Sequence, residues 1–323
     1  MMLENLGNTP LVKIDFPFLK TKNLNLFCKL EYYNPMGSIK DRAANYIIKK
    51  LLENKIINKE SVLIESSSGN FGIALSAYSK FYGIKFICVI DKMICPMNEI
   101  ILKLLETNII KITEADDCGG YLLNRLKKIE ALQKENPNAY WINQYGNLLN
   151  AEAYYNTLGN EICDALDKID YIFVGVSSGG TITGISRKVK ERFPAAKVIA
   201  VDVAGSVIFG GEAKKRNIPG IGSSKVPGIL KYAKIDEVVI IDELSAVEIC
   251  HKMLKEAFIF AGGSSGTVVS AIQNYFRDRR IDKSINVVAI IPDRGERYSD
   301  SIYNMEWCDK IQTKLRNEDV VFI

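Results

Sequence analysis

The sequence predicts an α/β protein built on open, mainly parallel sheets. Two features of the chain carry this prediction: short, nearly all-apolar runs rich in β-branched residues, and longer amphipathic stretches that alternate with them. Such runs are typical of parallel strands covered on both faces, and dense strand–helix alternation is typical of α/β folds. The chain has 323 residues, 47% hydrophobic and 25% charged, so we expect a globular protein of two domains.

Taken in order, the apolar runs predict eight strands. They are Leu26–Leu30, Val62–Glu65, Lys85–Ile90, Ile109–Ile112, Tyr171–Val176, Val198–Val203, Val238–Ile241 and Asn286–Ile291. The amphipathic stretches between them predict helices; in the first, apolar residues recur at helical spacing from Ile39 to Leu51. The predicted helices are Ile39–Leu52, Phe71–Tyr82, Pro96–Leu105, Gly120–Lys134, Ala151–Leu166, Thr181–Arg192, Ala246–Phe258 and Gly266–Asp278. Gly83 should cap the second helix in a left-handed conformation.

Histidine and cysteine usage excludes several kinds of chemistry. His251 is the only histidine, which opposes Ser–His–Asp and Cys–His hydrolases and histidine-rich zinc sites; we expect it to be an ordinary helix residue. The cysteine count is odd and no two cysteines have CxxC spacing, so we expect reduced thiols and no metal site. The seven are Cys28, Cys88, Cys95, Cys118, Cys163, Cys250 and Cys308.

Charge and hydropathy argue against nucleic-acid and membrane partners. The 42 basic and 38 acidic residues leave a net charge of +4 that is not clustered. No apolar run approaches the ~20 residues of a membrane span. The segment Met1–Asn5 has neither the basic nor the apolar region of an export signal, so we expect a cytoplasmic protein.

Three loops rich in glycine and hydroxyl side chains are each predicted to follow a strand and open a helix. At such turns the helix N-terminus offers free N–H donors, and glycine allows a ligand to approach the backbone. Neither GxGxxG nor GxxxxGK[ST] occurs, which favours a phosphate bound by amides and hydroxyls. The loops are Ser66–Gly72, Ser177–Thr181 and Gly262–Gly266, and the long irregular stretch Gly205–Val226 is also expected to be functional.

A lysine at the start of the first predicted helix is a candidate nucleophile. Pro35 and Gly37 predict a turn, Ser38 is a good N-cap, and Lys40 falls in the first helical turn. The helix dipole disfavours a cation there, so it should lower the pKa of Lys40 and favour the neutral amine that Schiff-base chemistry needs. Taken alone, the pattern favours an ordinary surface lysine.

Several motifs in a fixed order resemble the cysteine synthase/cystathionine β-synthase family, and the likeness runs from Leu6 to Tyr298. The motifs are Gly7–Leu11, Asn34–Arg42, Ser68–Asn70, Ser177–Thr181, Gly262–Ser264 and Pro292–Tyr298. The resemblance implies a pyridoxal-phosphate enzyme of fold type II, similar to the tryptophan synthase β subunit, with the site between two domains. It further implies a small, mobile, substrate-binding domain (residues 1–10 and 35–145), a large cofactor-binding domain (11–34 and 146–323) and a homodimer.

The resemblance also implies roles for particular residues. Lys40 matches the lysine that carries the cofactor and acts as the base, Asn70 the residue that binds the ring hydroxyl, and Ser264 the hydroxyl facing the pyridine nitrogen. The cofactor phosphate should lie in the turn of Ser177, Ser178, Gly179, Gly180 and Thr181. The substrate carboxylate should be held by Ser67, Ser68, Gly69 and Asn70, with Arg125, Gln144 and Tyr145 as further candidate substrate-binding residues.

The implied reaction is β-replacement through an α-aminoacrylate. One branch of the family, from siderophore pathways, joins O-phospho-L-serine to L-glutamate. Four stretches look like that branch: Cys118–Arg125, Tyr140–Tyr145, Gly205–Gly210 and Ile218–Gly222. Arginine suits forked contacts with phosphate or carboxylate. Phe71 and Ser177 depart from the threonine and glycine usual in cysteine synthases, which argues against plain cysteine synthesis.

Three alternatives stay open. The first is another β-replacement on the same scaffold, a cysteine synthase or a cysteine lyase releasing sulfide, because few pocket residues separate these activities. The second is a catalytically silent binding protein, which the intact Lys40 opposes. The third, a nicotinamide oxidoreductase, is opposed by the missing dinucleotide motif.

Overall fold

The computed structural model describes residues 2–115 and 121–320, with the side chains of residue 2 and of 314–320 left out. The segment Asp116–Gly120 therefore lies outside the described residues. This segment contains Cys118 and the predicted first residue of the fourth helix.

Within the described residues, the strands form two separate sheets. The larger has six strands in the order β1-β2-β10-β7-β8-β9, all parallel except β1, which pairs antiparallel with β2. The smaller is fully parallel, in the order β5-β4-β3-β6. The bounds are β1 Leu11–Lys13, β2 Leu24–Leu30, β3 Val62–Ser66, β4 Lys85–Asp91, β5 Asn108–Ile112, β6 Ala139–Trp141, β7 Tyr171–Gly175, β8 Lys197–Val203, β9 Glu237–Ile241 and β10 Ile285–Ile291.

Helices connect most of the parallel strands, and none in the described part of the chain is long and apolar enough to cross a membrane. Their bounds are α1 Lys40–Glu53, α2 Asn70–Tyr82, α3 Pro96–Leu104, α4 Leu122–Glu135, α5 Leu148–Tyr154, α6 Asn160–Ala165, α7 Gly180–Arg192, α8 Glu243–Ala257, α9 Gly263–Phe276 and α10 Met305–Val320. Short 3-10 turns occur at Met2–Glu4, Glu31–Tyr33, Gly228–Tyr232 and Gly295–Tyr298, and a π-helical turn at Tyr155–Gly159.

The predicted α/β class is confirmed, and all eight predicted strands are present with ends that differ by at most two residues. The unpredicted strands β1 and β6 have only three residues each, too few to show a periodicity. The helix predicted over Ala151–Leu166 is present, although it starts at Leu148 and contains a π-helical turn that separates α5 from α6. Helix α10 was not predicted.

The larger sheet is covered on both faces, which explains why its strands lack the usual alternation of polar and apolar residues. In β8, Val198 and Ala200 enter one hydrophobic core, whereas Ile199 and Val201 enter another. All four strands of the smaller sheet lie inside the segment 35–145. The division into two domains, with mobility of the smaller, stays a prediction.

Candidate active site

Lys40 and the turn 177–181 lie in segments that follow strands of the larger sheet, whereas the loop with Asn70 follows a strand of the smaller sheet. Strands β2, β10 and β7 are adjacent and parallel, so the segments leaving their carboxyl ends share one edge of the sheet. The segment after β2 leads to Lys40, and the segment after β7 is the turn 177–181. Backbone bonds link two segments to the residues after β10: Ile39 N–H donates to Pro292 O (2.8 Å), and Gly262 N–H, from the loop before α9, donates to Asp293 O (3.1 Å).

Lys40 lies in the first turn of α1, as predicted, and the Ser38 hydroxyl accepts its backbone N–H at 3.3 Å. The pKa of its amine is lowered to about 8, chiefly by burial, and the negative charge of Asp293 partly opposes this change. The predicted lowering of the Lys40 pKa is therefore confirmed, but its main cause is desolvation rather than the helix dipole. A buried amine loses hydration mainly in its charged form, which favours the neutral nucleophile.

The turn that follows β7 has the geometry of an anion site. Gly179 has φ +83°, a left-handed conformation that favours glycine, and α7 begins at the next residue, Gly180. The first N–H groups of a helix have no intrahelical acceptors, so they are available to a phosphate. Ser178 is buried, and the Ser177 hydroxyl donates to Gly222 O (3.1 Å), which ties the turn to the irregular stretch 205–226.

The third glycine–serine loop differs from its prediction. It follows no strand, because Phe258 ends α8 in a left-handed conformation and only Ala261 pairs, in an isolated bridge with Arg294. Helix α9 begins at Gly263, so Ser264 and Ser265 lie in its first turn. Ser265 is fully buried, and its Oγ has no hydrogen-bond partner among the described residues, whereas Ser264 keeps 5% exposure. This difference favours Ser264 as the hydroxyl that reaches the site.

The loop between β3 and α2 uses its serine hydroxyls internally. Ser67 Oγ accepts the N–H of Gly72 at 3.0 Å, which caps α2. Ser68 Oγ accepts the N–H of Asp91 (3.3 Å) and a guanidinium N–H of Arg125 (3.3 Å). Gly69 is different, because a Cβ built there meets no atom of the described residues within 4 Å. The loop therefore presents backbone, rather than serine hydroxyls, to open space.

Arg125 and Tyr145 lie close to this loop. The Arg125 side chain is 16% exposed, pairs with Asp91 Oδ2 at 3.3 Å, and its Nε has no hydrogen-bond partner within the described ranges. Burial raises the pKa of Tyr145, while the positive charges of Arg125 and Arg216 oppose that rise. The buried carboxylate of Glu65 accepts the backbone N–H of Gln144 at 3.2 Å and so holds this segment beside the loop.

Sequence reasoning missed four charged residues of this region. The positive charge of Arg216, in the irregular stretch, lowers the pKa of Tyr145, and Glu65 accepts the backbone N–H of Ser66. Asp293 and Arg297 both contact Asn70. The last two belong to the motif Pro292–Tyr298, which was recognised without any role. Glu65 gave a signal of its own, since an acidic residue ends an otherwise apolar strand.

The arrangement fits a pyridoxal phosphate carried on a lysine. It combines a buried amine of lowered pKa with an anion-binding helix N-terminus at one edge of a parallel sheet. The family model "Pyridoxal-phosphate dependent enzyme" matches residues 2–293. The chain belongs to this family and is a pyridoxal-phosphate-dependent enzyme of the cysteine synthase/cystathionine β-synthase type.

Solved structures of similar proteins agree with this assignment. An O-acetylserine-dependent cystathionine β-synthase from Helicobacter pylori is 30% identical, with a TM-score of 0.86 over 94% of this chain and 98% of that one. A hydrogen sulfide-producing enzyme from Fusobacterium nucleatum is 29% identical, with a TM-score of 0.85 over 92% and 99%. An O-ureido-L-serine synthase, 23% identical with a TM-score of 0.84 over 93% and 91%, shows the shared fold.

Gly69→Ala should leave the protein folded while weakening substrate binding. The added methyl group meets no atom of the described residues within 4 Å and φ is not positive, so the free energy of unfolding should change by less than ~1 kcal/mol. If a substrate carboxylate lies against this backbone, the methyl group should raise KM at least ~tenfold. Gly72→Ala is the contrasting variant, since its Cβ would lie 2.6 Å from Ser67 O and should destabilise the fold. Unchanged KM in a stable Gly69→Ala protein would remove Gly69 from the substrate site.

Proposed function

We propose that this enzyme joins O-phospho-L-serine to L-glutamate, releasing phosphate and forming N-(2-amino-2-carboxyethyl)-L-glutamate. This is the reaction of N-(2-amino-2-carboxyethyl)-L-glutamate synthase, which serves siderophore biosynthesis. The proposal depends chiefly on Arg125, whose side chain is largely buried. Its guanidinium contacts Ser68, in the loop between β3 and α2, and its Nε has no hydrogen-bond partner among the described residues.

The charge of these substrates supports the proposal. A doubly charged phosphate leaves and a dicarboxylate amino acid arrives, and a buried anion without a partner is costly. Arg125 supplies a fixed cation for one of these groups, and Arg216 places a second positive charge near Tyr145. A donor such as O-acetylserine carries no comparable charge in its leaving group and needs neither arginine.

The enzyme's own residues then have distinct tasks. When bound, pyridoxal phosphate withdraws electrons from the substrate α-carbon and makes its proton acidic. Lys40 Nζ accepts that proton and later returns it, and its lowered pKa suits it to this exchange near neutral pH. The turn 177–181 holds the phosphate, Asn70 the ring oxygen, and the backbone at Gly69 the substrate carboxylate. Ser264 gives the ring nitrogen a neutral partner, which favours elimination over a persistent carbanion.

One specific observation favours a second candidate. The similar proteins from Helicobacter pylori and Fusobacterium nucleatum are described as O-acetylserine-dependent and hydrogen sulfide-producing. The alternative function is therefore a cysteine synthase or a cysteine lyase on the same scaffold.

Donor and acceptor assays separate the two functions. The purified holoenzyme would be incubated with O-phosphoserine plus glutamate, O-acetylserine plus sulfide, or cysteine alone, while phosphate, acetate or sulfide is measured. We expect phosphate release that depends on glutamate, with the condensation product identified by mass spectrometry. Faster turnover of O-acetylserine or cysteine would instead establish the alternative.

Arg125→Ala should impair the proposed reaction selectively. Loss of a charge-assisted contact costs about 1.5–3 kcal/mol, so kcat/KM for phosphoserine or glutamate should fall by about tenfold to a hundredfold. Activity with O-acetylserine should fall less, and the colour of the bound cofactor should persist. Lys127→Ala is the matched control, because Lys127 is an exposed cation on the same helix. Unchanged kinetics with both anionic substrates would favour the alternative function, a cysteine synthase or a cysteine lyase.

A further inference from the structure

A buried carboxylate lies behind the candidate cofactor site, and no role has been assigned to it. Asp293, 1% exposed, follows β10 and pairs through its backbone with Ser38, two residues before Lys40. Its Oδ2 accepts hydrogen bonds from the Tyr298 hydroxyl and from the Asn70 amide nitrogen, both at 2.6 Å. Its Oδ1 is buried without a hydrogen-bond partner in the part of the chain that the structure describes.

Asn70 is held at both ends of its amide. Its Nδ2 donates to Asp293, and its Oδ1 accepts from the guanidinium of Arg297, which also donates to Met36 O. An ionised carboxylate can only accept and a guanidinium can only donate, so these partners are compatible with one orientation of the amide. With one N–H of Nδ2 used by Asp293, the second N–H is the donor that Asn70 can offer to a ligand.

We propose that Asp293 and Arg297 are positioning residues that lock the Asn70 amide, so that it presents an N–H, and never its carbonyl oxygen, to the cofactor. The inference rests on the proposed role of Asn70 at the ring oxygen of pyridoxal phosphate. That oxygen lies beside the aldehyde carbon and accepts a hydrogen bond when ionised. A reversed amide would place two acceptors face to face, which is repulsive and leaves both unsatisfied.

The surroundings of Asp293 show what the lock requires. Burial raises the pKa of its carboxyl, whereas Tyr298, Arg297, Asn70 and Lys40 lower it. The negative charge of Asp293 also raises the pKa values of Cys250 and Tyr303, so it disfavours the ionisation of both. Only the ionised form of Asp293 is restricted to accepting from Asn70, because a protonated carboxyl could also donate and would leave Arg297 alone to fix the amide.

The test measures cofactor affinity without any amino-acid substrate. Asp293→Asn keeps the shape but introduces an amide that can either donate or accept, so the orientation of the Asn70 amide then depends on Arg297 alone. We expect the Kd for pyridoxal phosphate to rise about tenfold, the absorption maximum of the bound cofactor to shift, and the melting temperature of the apoprotein to change little. Glu296→Gln is the matched control, since it removes an exposed carboxylate of the same segment that pairs with Arg294; it should change none of these.

A double-mutant cycle separates positioning through Asn70 from a direct electrostatic effect on Lys40. In an Asn70→Ala background, Asp293→Asn should cause no further loss of cofactor affinity. The same tenfold loss in that background would overturn the proposal, as would unchanged affinity for Asp293→Asn in the otherwise natural chain. Arg297→Gln tests the other end of the amide and should reproduce the loss of affinity; if Asp293→Asn does not fold, this variant decides the question. A natural chain that binds no pyridoxal phosphate would contradict the assigned cofactor site itself, which is a different result.

Discussion

Lys40→Ala is expected to abolish turnover while the protein still folds. The amine is the proposed attachment point for the cofactor and the base for the substrate α-proton, and no alanine atom can replace either function. Loss of a general base alone typically costs about 10²–10⁴-fold in rate, and loss of covalent attachment adds to that. Steady-state kinetics and mass spectrometry of the borohydride-reduced holoenzyme would measure turnover and attachment. Lys49→Ala, at an exposed position of the same helix, is the control.

The pH dependence of cofactor capture gives a second measurement of the same residue. The pKa of Lys40 is lowered from 10.5 to about 8, so its amine becomes neutral as pH rises through about 8, whereas an ordinary lysine stays charged. The rate at which the apoprotein attaches pyridoxal phosphate should therefore rise up to about pH 8 and then level off. A rate that keeps rising to pH 10 would contradict the burial of Lys40. Near-natural turnover of Lys40→Ala would contradict the mechanism.

Arg42→Met should cause the largest loss of stability. Arg42 is 1% exposed and lies two residues after Lys40 in α1. Its guanidinium donates to both oxygens of Glu31 (2.6 and 2.8 Å) and to both of Glu161 (2.6 and 2.8 Å). Removing one partner of a buried ion pair leaves uncompensated charge and costs about 3–5 kcal/mol. Urea unfolding followed by circular dichroism would measure this loss. Lys50→Met removes the exposed pair with Glu53 and should cost less than ~1 kcal/mol.

The same network predicts an acid transition. Hydrogen bonds from Arg42 and Lys29 lower the pKa of Glu161 from 4.5 to about 2, against an opposing effect of burial. The unfolded chain therefore binds more protons than the folded one between these values, so this stabilisation is complete above pH 4.5 and is lost as pH falls towards 2. In Arg42→Met, the pH-dependent contribution of Glu161 to the free energy of unfolding should be smaller. An unfolding free energy equal to that of the natural chain across this range would show that the network adds no stability.

This network also explains the first recognised motif. Asn8 N–H donates to Glu161 (2.9 Å), and the Thr9 hydroxyl donates to Glu31 (2.6 Å). Lys29 Nζ donates to Thr9 O (2.5 Å) and to Glu161 (2.7 Å). The motif Gly7–Leu11 therefore anchors the N-terminal segment to the helix that carries Lys40.

The sequence by itself determined the fold class, the eight main strands and the placement of Lys40 in a first helical turn. These features depend on residues close together in the chain: apolar runs, helical spacing, and the turn formed by Pro35 and Gly37. Local patterns did not predict the secondary structure where a segment was short, as in β1, or where tertiary contacts, rather than composition, decided the backbone conformation. The loop Gly262–Gly266 was expected to follow a strand, yet Phe258 ends α8 just before it and only Ala261 pairs, in an isolated bridge with Arg294.

Only the tertiary structure decided how the candidate site is held. The 223-residue separation between Asn70 and Asp293, and a similar one between Asn70 and Arg297, leaves no local signal of their contacts. The full burial of Ser265, compared with 5% exposure for Ser264, likewise follows from how α9 packs, while the role of Ser264 stays a prediction. The main cause of the lowered pKa of Lys40 is likewise burial, which packing creates and a helix position does not. Hydrogen-bond partners and desolvation belong to the assembled protein, because they arise when segments that follow strands of both sheets come together, as Asn70 after β3 and Asp293 after β10 do.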